Sequence, residues 1–583
     1  MSESTMKAPA AASVFDNPLQ APDRRLLRYI PPDAALVLDV GCGSGVNGAC
    51  YKSINPHGRY WGLERDPEQA RQAACRLDAV WCGDPAGLNL NSLAIPSAGL
   101  QCLVYAGELE RVTNPQGLLC RQTELLAADG VVVATFQNAA HWRTLGGLLL
   151  NEKFCLEEKC NERYLPAFTA GGIRELFSRA GLTVIRLEAE EERGAEFERL
   201  LRELQPMMLS RGIKESDFAA RLAARRFIVQ AVKPEAAVRP LLVQSLLGET
   251  LVCSRVRISE PGQFIASIPG VRTEENQGNV SLYPSSEHQD KVFIWQRTWP
   301  SFPAEIYKQK ALVDRGYLIV AEIDDDPLRW KEYHESNQFF AFRGCHGIQT
   351  STEPLAEYLR RWNPNVAVFP NQLAVLPALR PAVDSEPVWL FFGALNREDD
   401  WAPLMPVLND VLSRYGEKIR VRVAHDRQFY EALTTSYKTF VQFCPYETYQ
   451  RLLYSTDINL LPLLPNRFNS MKSDLKFIES AAYGAVALAS PTVYSGTVEH
   501  GVTGFIYHSP EEFGRYLSML IENPELRRTV QTTAYAWVRD RRLLSGHYRQ
   551  RVEWYRTMLA RLTELNQELR QRVPELFASG ERL

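Results

Sequence analysis

The sequence predicts an α/β protein built from three Rossmann-like units, with parallel sheets covered by helices. Short apolar segments alternate with longer amphipathic segments along most of the chain, a pattern typical of parallel sheets. The chain has 583 residues, which is too long for one hydrophobic core and indicates about three domains. One apolar segment ends in a turn with three glycines, which allows a backbone to approach a nucleotide closely.

Composition excludes several classes of protein. A hydrophobic content of 45%, a charged content of 23% and a net charge of -3 indicate a folded chain without the basic surface that nucleic-acid binding needs. The eleven cysteines include no Cys-x-x-Cys pair. The closest pair, Cys155 and Cys160, has no companion pair at zinc spacing, so we expect no metal site. No apolar run is long enough to span a bilayer, and a cytoplasmic location is expected.

The glycine-rich turn follows the apolar segment that contains Asp39. It places Gly41, Gly43 and Gly45 two residues apart, so the backbone can turn sharply without a Cβ in the way. Glu64 ends the next apolar segment, about twenty residues later, where a carboxylate can accept both hydroxyls of a ribose. A dinucleotide site would carry its third glycine inside the helix. A turn shaped only for backbone geometry is the remaining alternative.

This segment resembles the first motif of class I S-adenosylmethionine-dependent methyltransferases. The resemblance implies that Asp39, the three glycines and Glu64 form the cofactor site, with the loop around the amino-acid part and Glu64 on the ribose. It also implies that Asp84, at the end of the following strand, contacts the adenine.

The resemblance to methyltransferases continues after this motif, most specifically over residues 131–142, and it has one departure. Arg111 stands where many relatives have a histidine, and an arginine stays protonated and cannot act as a general base. The segment from Asn138 to Trp142 is similar to the Asn-x-x-His-Trp segment of methyltransferases in glycan and polyketide pathways. His141 is therefore the expected base, and a structural hydrogen-bonding role is the alternative.

The chain is expected to divide at Lys233–Ala237, where proline and small residues break both periodicities. We predict a disordered N-terminus at residues 1–20, a methyltransferase-like domain at 21–235, two further Rossmann-like lobes at 236–385 and 386–545, and a C-terminal helical segment at 546–583. In that last segment Met558, Leu562, Leu565 and Leu569 form an apolar face, which packs across the domains or against a second subunit. A peripheral membrane contact is less favoured, because the polar face mixes Glu with Arg.

The segment from Lys472 to Gly504 is similar to the donor-binding region of group 1 (family 4-like) glycosyltransferases. The resemblance implies the two-lobed fold called GT-B and a nucleotide-sugar donor. Lys476 can neutralise a diphosphate and Glu479 can accept ribose hydroxyls, while Gly393, Arg397 and Lys472 complete the donor site. The alternative is a surface ion pair between Lys476 and Glu479 at i, i+3.

Three acids follow a predicted strand at Asp324–Asp326. They could suggest a metal-binding Asp-x-Asp motif, but they end a strand of a Rossmann-like unit. A related segment occurs on the acceptor side of group 1-like enzymes, so Asp325 is expected to bind a sugar or acceptor hydroxyl without a metal. A solvated turn is the alternative. His346 and Glu353 are weaker candidates.

Together these patterns predict a bifunctional glycan-modifying enzyme. Its catalytic residues are expected to be His141, Asp325, Lys476 and Glu479, its cofactor S-adenosylmethionine, and its partners a nucleotide sugar and a glycan or glycan-bearing acceptor. The resembled family transfers sugars with retention and without an essential metal. The alternative is a glycosyltransferase whose methyltransferase-like half is a non-catalytic binding or docking module.

Overall fold

The computed structural model describes residues 21–87, 99–151, 168–236, 239–248, 252–286, 288–381 and 387–577. The segment 1–20 and both Cys155 and Cys160 lie outside these residues. The chain forms two compact units. Of the described residues, the first unit contains those up to Pro240 together with Ala266–Val271, and the second contains those in Leu241–Ile265 and those from Arg272 onward.

The first unit contains a seven-stranded sheet with the order β3-β2-β1-β4-β5-β7-β6. Its strands are β1 (Leu36–Val40), β2 (Arg59–Glu64), β3 (Ala79–Cys82), β4 (Leu100–Ala106), β5 (Leu126–Gln137), β6 (Thr183–Glu191) and β7 (Ala224–Val232). Strands β1 to β5 pair in parallel, while β7 runs antiparallel between β5 and β6. All five residues of β1 are buried, as expected of a central parallel strand.

Eight helices accompany this sheet among the described residues. They are α1 (Arg24–Leu27), α2 (Val46–Ile54), α3 (Pro67–Ala74), α4 (Pro115–Thr123), α5 (Trp142–Asn151), α6 (Ala170–Arg179), α7 (Ala195–Ser210) and α8 (Glu215–Ala223). Helix α3 begins directly after Asp66, whose carboxylate accepts hydrogen bonds from the amides of Glu68 and Gln69. This cap fixes the end of the segment that carries Glu64.

The second unit contains two six-stranded sheets. The earlier sheet has the order β13-β12-β11-β10-β8-β9, and its ladders from β8 through β10, β11 and β12 to β13 are parallel. Its strands are β8 (Leu241–Leu247), β9 (Val271–Asn276), β10 (Asp290–Gln296), β11 (Leu318–Glu322), β12 (Gly347–Thr350) and β13 (Val366–Val368). Its helices are α9 (Val252–Ser254), a π-helical turn (Arg255–Ser259), α10 (Glu260–Ile265), α11 (Ile306–Val313), α12 (Lys331–Ser336), α13 (Phe340–Arg343) and α14 (Glu353–Leu359).

The later sheet has the order β16-β15-β14-β17-β18-β19 and is parallel throughout. Its strands are β14 (Val388–Gly393), β15 (Ile419–Ala424), β16 (Lys438–Val441), β17 (Ile458–Leu461), β18 (Val486–Ala489) and β19 (Phe505–Ile506). This is the 3-2-1-4-5-6 order of a Rossmann sheet, in which ligands bind where the order reverses, beyond the carboxyl ends of the first and fourth strands. Those strands here are β14 and β17.

The remaining helices follow β14. They are α15 (Glu398–Trp401), α16 (Met405–Tyr415), α17 (Arg427–Ala432), α18 (Tyr446–Tyr454), α19 (Arg467–Ser470), α20 (Leu475–Ala482), α21 (Pro510–Glu522), α22 (Pro524–Arg541), α23 (Arg549–Ala560) and α24 (Leu562–Arg572). Leu569 of α24 packs against Phe340, and the Tyr555 hydroxyl of α23 donates to Gln349 Oε1, so these helices return to the earlier sheet of their own unit. No described helix combines the length and the apolar character that a membrane span needs.

Three α/β sheets confirm the predicted fold class. Two weaker site candidates lie in structural positions. His346 is buried, its Nδ1 accepts a hydrogen bond from the Ile319 amide, and burial lowers its pKa to about 4. Glu353 starts α14 and forms an ion pair with Arg360 at 2.5 Å. The partners in these interactions, Ile319 and Arg360, do not belong to either candidate site described next.

Candidate functional sites

The glycine-rich turn lies at the carboxyl end of β1, where the strand order of the first sheet reverses between β1 and β4. Gly41, Gly43 and Gly45 all have left-handed φ angles, of +83°, +55° and +78°. A Cβ at Gly41 would lie 2.9 Å from Glu108 Oε2, and one at Gly45 would lie 3.1 Å from Ala73 Cα. A Cβ at Gly43 would meet no atom within 4 Å. The turn therefore requires glycine for its backbone, and open space lies beside Gly43.

Glu64 ends β2 next to this turn. Its buried carboxylate accepts a hydrogen bond from the Gly43 amide at 2.8 Å and another from the Asp66 amide at 3.0 Å. The Gly41 amide is bonded in turn to the Leu63 carbonyl at 2.8 Å. Glu64 thus holds the glycine turn against β2, a function that the sequence pattern does not indicate.

Two other predicted cofactor residues occupy different environments. Asp39 is buried in β1 and accepts a hydrogen bond from the Tyr60 hydroxyl at 2.9 Å, while its Oδ1 has no hydrogen-bond partner among the described residues. Burial raises the pKa of Asp39 to about 7. Asp84 is exposed after β3, and its carboxylate accepts from the Ala86 amide at 3.1 Å.

The structure adds two acids that the sequence argument did not assign to the site. Glu108 is buried after β4, lies against Gly41 and pairs with Arg65. Glu110 is also buried and accepts a hydrogen bond from the Gln137 amide at 2.7 Å, and burial raises its pKa to about 7. The signal for both is the acidic segment that follows the fourth strand of the sheet.

His141 lies just beyond the carboxyl end of β5. Its ring is buried against Trp142, and its Nε2 has no hydrogen-bond partner among the described residues. The Glu192 carboxylate lies 3.9 Å from this nitrogen. Burial lowers the pKa of His141 below its usual value of 6.5, so the imidazole is neutral at neutral pH. Neighbouring Asn138 donates to the carbonyls of Arg221 and Ala224, which is a structural role.

The second candidate site lies at the carboxyl end of β14, in the second unit. Lys476 Nζ on α20 donates to the Gly393 carbonyl and lies 3.5 Å from the Tyr449 hydroxyl. Surrounding protein atoms lower the pKa of this ammonium group to about 8. Lys476 thus lies at the reversal point of the Rossmann-ordered sheet, with neutral oxygens as its hydrogen-bond partners.

Glu479 lies one helical turn after Lys476. Its buried carboxylate accepts a hydrogen bond from the Tyr446 hydroxyl, and burial raises its pKa to about 7. Each member of the predicted pair therefore has its own partner. The arrangement differs from a surface ion pair at i, i+3.

Arg397 and Lys472 both lie near the Phe468 ring. The Arg397 guanidinium donates to Asp400 Oδ2 at 3.1 Å and to Asn469 Oδ1 at 2.7 Å, and its centre lies 5.5 Å from the ring centroid. Lys472 Nζ lies 4.2 Å from the same centroid. These contacts hold two cations beside the segment that leads into α20.

The acids after β11 meet these cations. Asp325 Oδ1 accepts from Lys472 at 3.2 Å, and its Oδ2 accepts from Arg329 at 3.2 Å. Asp326 accepts from the Leu328 amide at 3.0 Å and forms an ion pair with Arg467 at 3.2 Å. The described residues contain no group of three or more His, Cys, Asp and Glu side chains placed to hold a metal ion.

Comparison with known proteins assigns part of the second unit. Residues 407–557 match a family model described as glycosyl transferase-like, so this part of the chain contains a glycosyltransferase-like domain, as the sequence predicted. This region includes β15 to β19 and both Lys476 and Glu479. No curated protein matches the chain.

Solved structures give low similarities. A glycosyltransferase from Rickettsia africae is 14% identical, with 55% of this chain and 99% of that chain covered and a TM-score of 0.40. Anabaena Alr3699/HepE, in complex with UDP and glucose, is 14% identical over 54% of this chain and 98% of its own, with a TM-score of 0.39. An S-adenosylmethionine-dependent methyltransferase from Mesorhizobium loti is 15% identical over 36% and 95%, with a TM-score of 0.24.

Proposed function

We propose that the chain is a bifunctional enzyme that transfers a sugar from a nucleotide-sugar donor to a glycan acceptor and a methyl group from S-adenosylmethionine to a glycan-related acceptor. The observation that carries the sugar transfer is the position of Lys476. Its ammonium group lies at the reversal point of a Rossmann-ordered sheet, within the segment that matches the glycosyltransferase-like family model.

The donor diphosphate binds beside Lys476 in this proposal. A diphosphate gives the ammonium an anionic partner, where the protein offers the neutral oxygens of Gly393 and Tyr449. Glu479, one turn further along α20, accepts hydrogen bonds from the ribose hydroxyls. As the glycosidic bond of the donor breaks, negative charge grows on the leaving diphosphate, and Lys476 and Arg397 stabilise it. We propose that these cations take the place of a metal and that transfer proceeds with retention.

Asp325 is proposed to orient a hydroxyl of the acceptor or of the donor sugar. Its carboxylate is buried, and Lys472 and Arg329 compensate its charge. A hydroxyl group that donates to this carboxylate can replace the contact with Arg329. Because Arg329 is exposed, water then solvates its guanidinium group, and Lys472 keeps its contact with Asp325. Lys472 thereby couples the acceptor residue to the segment that precedes Lys476.

The first unit fits S-adenosylmethionine. Open space lies beside Gly43, and Asp39 Oδ1 is a buried acceptor without a protein partner. Glu64 is proposed to bind the ribose with lone pairs that its two amide contacts leave available, and Asp84 to bind the adenine. When bound, the cofactor supplies an electrophilic methyl group. Neutral His141 is proposed to take the proton from the acceptor hydroxyl.

A second candidate function has a specific observation in its favour. His141 Nε2 is enclosed by protein atoms, and Arg111 stands in place of the usual histidine. Both features suit a methyltransferase-like unit that binds a nucleoside ligand without transferring a methyl group. In that case the chain is a glycosyltransferase with an attached binding module.

Thermal shift of the intact protein tests the proposal. A ligand at 100 times its dissociation constant stabilises the folded state by about 2.7 kcal/mol. We expect S-adenosylmethionine to raise the melting temperature of the wild type and of Lys476→Ala, but to raise that of Glu64→Ala less. One nucleotide sugar of a panel should raise the melting temperature of the wild type and of Glu64→Ala, but should raise that of Lys476→Ala less. Equal shifts in all three proteins would remove the assignment of both sites.

A further inference from the structure

We propose that Tyr446 is a positioning residue of the donor site, whose hydroxyl holds the Glu479 carboxylate ready to accept the hydroxyls of the donor ribose and so favours ribonucleotides over 2′-deoxyribonucleotides. Tyr446 is the first residue of α18 and lies outside the segment from Lys472 to Gly504, whose pattern predicts the donor site. The inference rests on the proposed function, which assigns the ribose to Glu479.

Two tyrosines of α18 meet two charged residues of α20. The Tyr446 hydroxyl donates to Glu479 Oε1, and Lys476 Nζ donates to the Tyr449 hydroxyl at 3.5 Å. The members of each pair are three residues apart on their own helix, which places them on one helical face. The two tyrosine rings are stacked, with centroids 6.3 Å apart and an interplanar angle of 13°. Helix α18 therefore supplies one hydroxyl group to each of the two charged groups proposed to bind the donor.

Arg255, from the π-helical turn that accompanies the earlier sheet, contacts Tyr446. The centre of its guanidinium group lies 4.9 Å from the centroid of the Tyr446 ring, where a cation and an aromatic face attract each other. Its Nε donates to Glu260 Oε1 at 2.8 Å, and its Nη1 donates to Glu447 of α18. These two carboxylates fix the guanidinium group beside the ring. Tyr446 is therefore restrained at its ring by Arg255 and at its hydroxyl by Glu479.

The hydroxyl group of Tyr446 also affects the protonation of Glu479. Burial raises the pKa of this carboxyl group to about 7, while the hydrogen bond from Tyr446 and the charge of Lys476 oppose the rise. The titratable side chains that interact with Glu479 among the described residues are Glu260 of α10, Tyr446 and Tyr449 of α18, Lys476 and Tyr483 of α20, and Tyr494.

The ionised form of Glu479 is the one that suits a ribose. A carboxylate accepts hydrogen bonds at both oxygens, whereas a protonated carboxyl group uses one oxygen as a donor. Removal of the Tyr446 hydroxyl takes away a hydrogen bond that favours the charged form, so the pKa of Glu479 rises further. At neutral pH the variant protein then carries a larger fraction of protonated Glu479 and binds the ribose hydroxyls more weakly.

The test measures nucleotide affinity of the full-length protein by calorimetry, with ADP, CDP, GDP and UDP as the probes. The measurements run from about pH 6 to about pH 9, on either side of the pKa of Glu479. At each pH, the affinity of the ribonucleotide that binds most tightly is divided by the affinity of its 2′-deoxy counterpart. Titration of Lys476 acts on the diphosphate of both nucleotides, so this ratio isolates the contact between Glu479 and the ribose.

We expect the wild-type ratio to rise with pH through about 7, as Glu479 loses its proton. In Tyr446→Phe the midpoint of this rise should move by about one pH unit or more towards alkaline pH, because a hydrogen bond to a charged group is lost. The ratio should fall several-fold at neutral pH and approach the wild-type value at the alkaline end. A merely structural effect would instead weaken both nucleotides at every pH. Tyr454→Phe, at the other end of α18, is the matched control and should follow the wild type.

Two further variants keep the test decisive if Tyr446→Phe does not fold. Arg255→Gln leaves the Tyr446 hydroxyl in place but removes the cation beside its ring, so the midpoint should move in the same direction by a smaller amount. Glu479→Gln has no carboxyl group to titrate and should give a ratio that does not change with pH.

The outcomes separate this inference from the proposed function. An unchanged midpoint in the folded Tyr446→Phe and Arg255→Gln proteins would overturn the role of Tyr446, as would a ratio that still rises with pH in Glu479→Gln. In both cases nucleotide binding itself stands. Absence of binding of all four nucleotides to the wild type would instead overturn the proposed sugar transfer, and this inference with it.

Discussion

Glu64 combines two roles in one carboxylate. It holds the amides of Gly43 and Asp66, and it is proposed to bind the ribose of the cofactor. We expect Glu64→Ala to weaken S-adenosylmethionine binding by about 1.5 to 3 kcal/mol or more, because a charged acceptor is lost and the glycine turn is released. Calorimetry measures this loss of affinity. Glu64→Gln retains one carbonyl oxygen, so its affinity should fall between those of the wild type and Glu64→Ala. Equal affinity in the wild type and both variants would exclude Glu64 from the site.

The burial of His141 leads to a prediction about how the methyl-transfer rate depends on pH. Its pKa is lowered below 6.5 by burial, so it is available as a base at neutral pH and becomes protonated only in more acidic solution. We expect the methyl-transfer rate to be flat around neutrality and to fall on acidification. His141→Gln should reduce the rate about 10²- to 10⁴-fold with cofactor affinity intact. A rate that is unchanged in this variant would favour catalysis by proximity alone.

Substitution of Lys476 is expected to affect activity and stability differently. Its ammonium is held at a pKa of about 8 by its surroundings, which means that the protein disfavours the charge it carries. We expect Lys476→Met to abolish most sugar transfer and to change the free energy of unfolding by only about 1 kcal/mol, because relief of the desolvated ammonium opposes the loss of its hydrogen bond to the Gly393 carbonyl. Donor turnover and denaturant titration report the two quantities. S-adenosylmethionine binding serves as the control and should not change.

The glycine turn gives a prediction about one structural element. All three glycines have positive φ, but their surroundings differ. Gly43→Ala carries only the backbone cost of about 1 to 2 kcal/mol for a left-handed residue, since the Cβ meets open space. Gly41→Ala adds a collision with buried Glu108. We expect Gly41→Ala to lower the melting temperature further, whereas Gly43→Ala should chiefly reduce cofactor affinity, because its methyl group enters the space proposed for the ligand.

Elements that depend on local patterns could be predicted from the sequence. The apolar segment before Gly41, the helix that carries Lys476 and the succession of three sheets all follow from residues close together in the chain. Positions that depend on strand order could not. Lys476 meets the Gly393 carbonyl across 83 residues, and Lys472 meets Asp325 across 147. The first contact requires α20 to pack at the end of β14, and the second joins segments that belong to two different sheets. Periodicity specifies neither arrangement.

Site residues that the sequence pattern did not identify also depend on contacts between distant parts of the chain. Glu108 lies against Gly41 because β4 pairs with β1, although the two residues are far apart in the chain. The hydrogen bond from the Gly43 amide to Glu64 links the turn after β1 to the end of β2. A glycine motif predicts the turn, but only the assembled sheet identifies the side chains around it. The roles of the site residues as a whole stay predictions until binding is measured.

At the scale of the whole molecule, the first unit includes a segment that follows 25 residues of the second unit, Leu241–Ile265. Within the first unit, Gln230 Nε2 donates to the Ser267 carbonyl at 2.6 Å, and Arg186 donates to the Val271 carbonyl. We expect a fragment of residues 1–240 to be less stable than the first unit of the intact chain by about 1 to 3 kcal/mol per lost buried bond. Adding a peptide of residues 264–272 should raise its melting temperature. A scrambled peptide is the control, and equal melting with both would contradict the role of this segment.

The return of Ala266–Val271 to the first unit also constrains how such a gene can change. A terminal fusion can be gained or lost by one exchange of coding sequence at a single junction. Here an exchange at residue 240 would introduce a different first unit but would retain Ala266–Val271, which packs with the original one. We therefore expect residues up to Pro240 and Ala266–Val271 to be inherited together, with the coding sequence for Leu241–Ile265 between them.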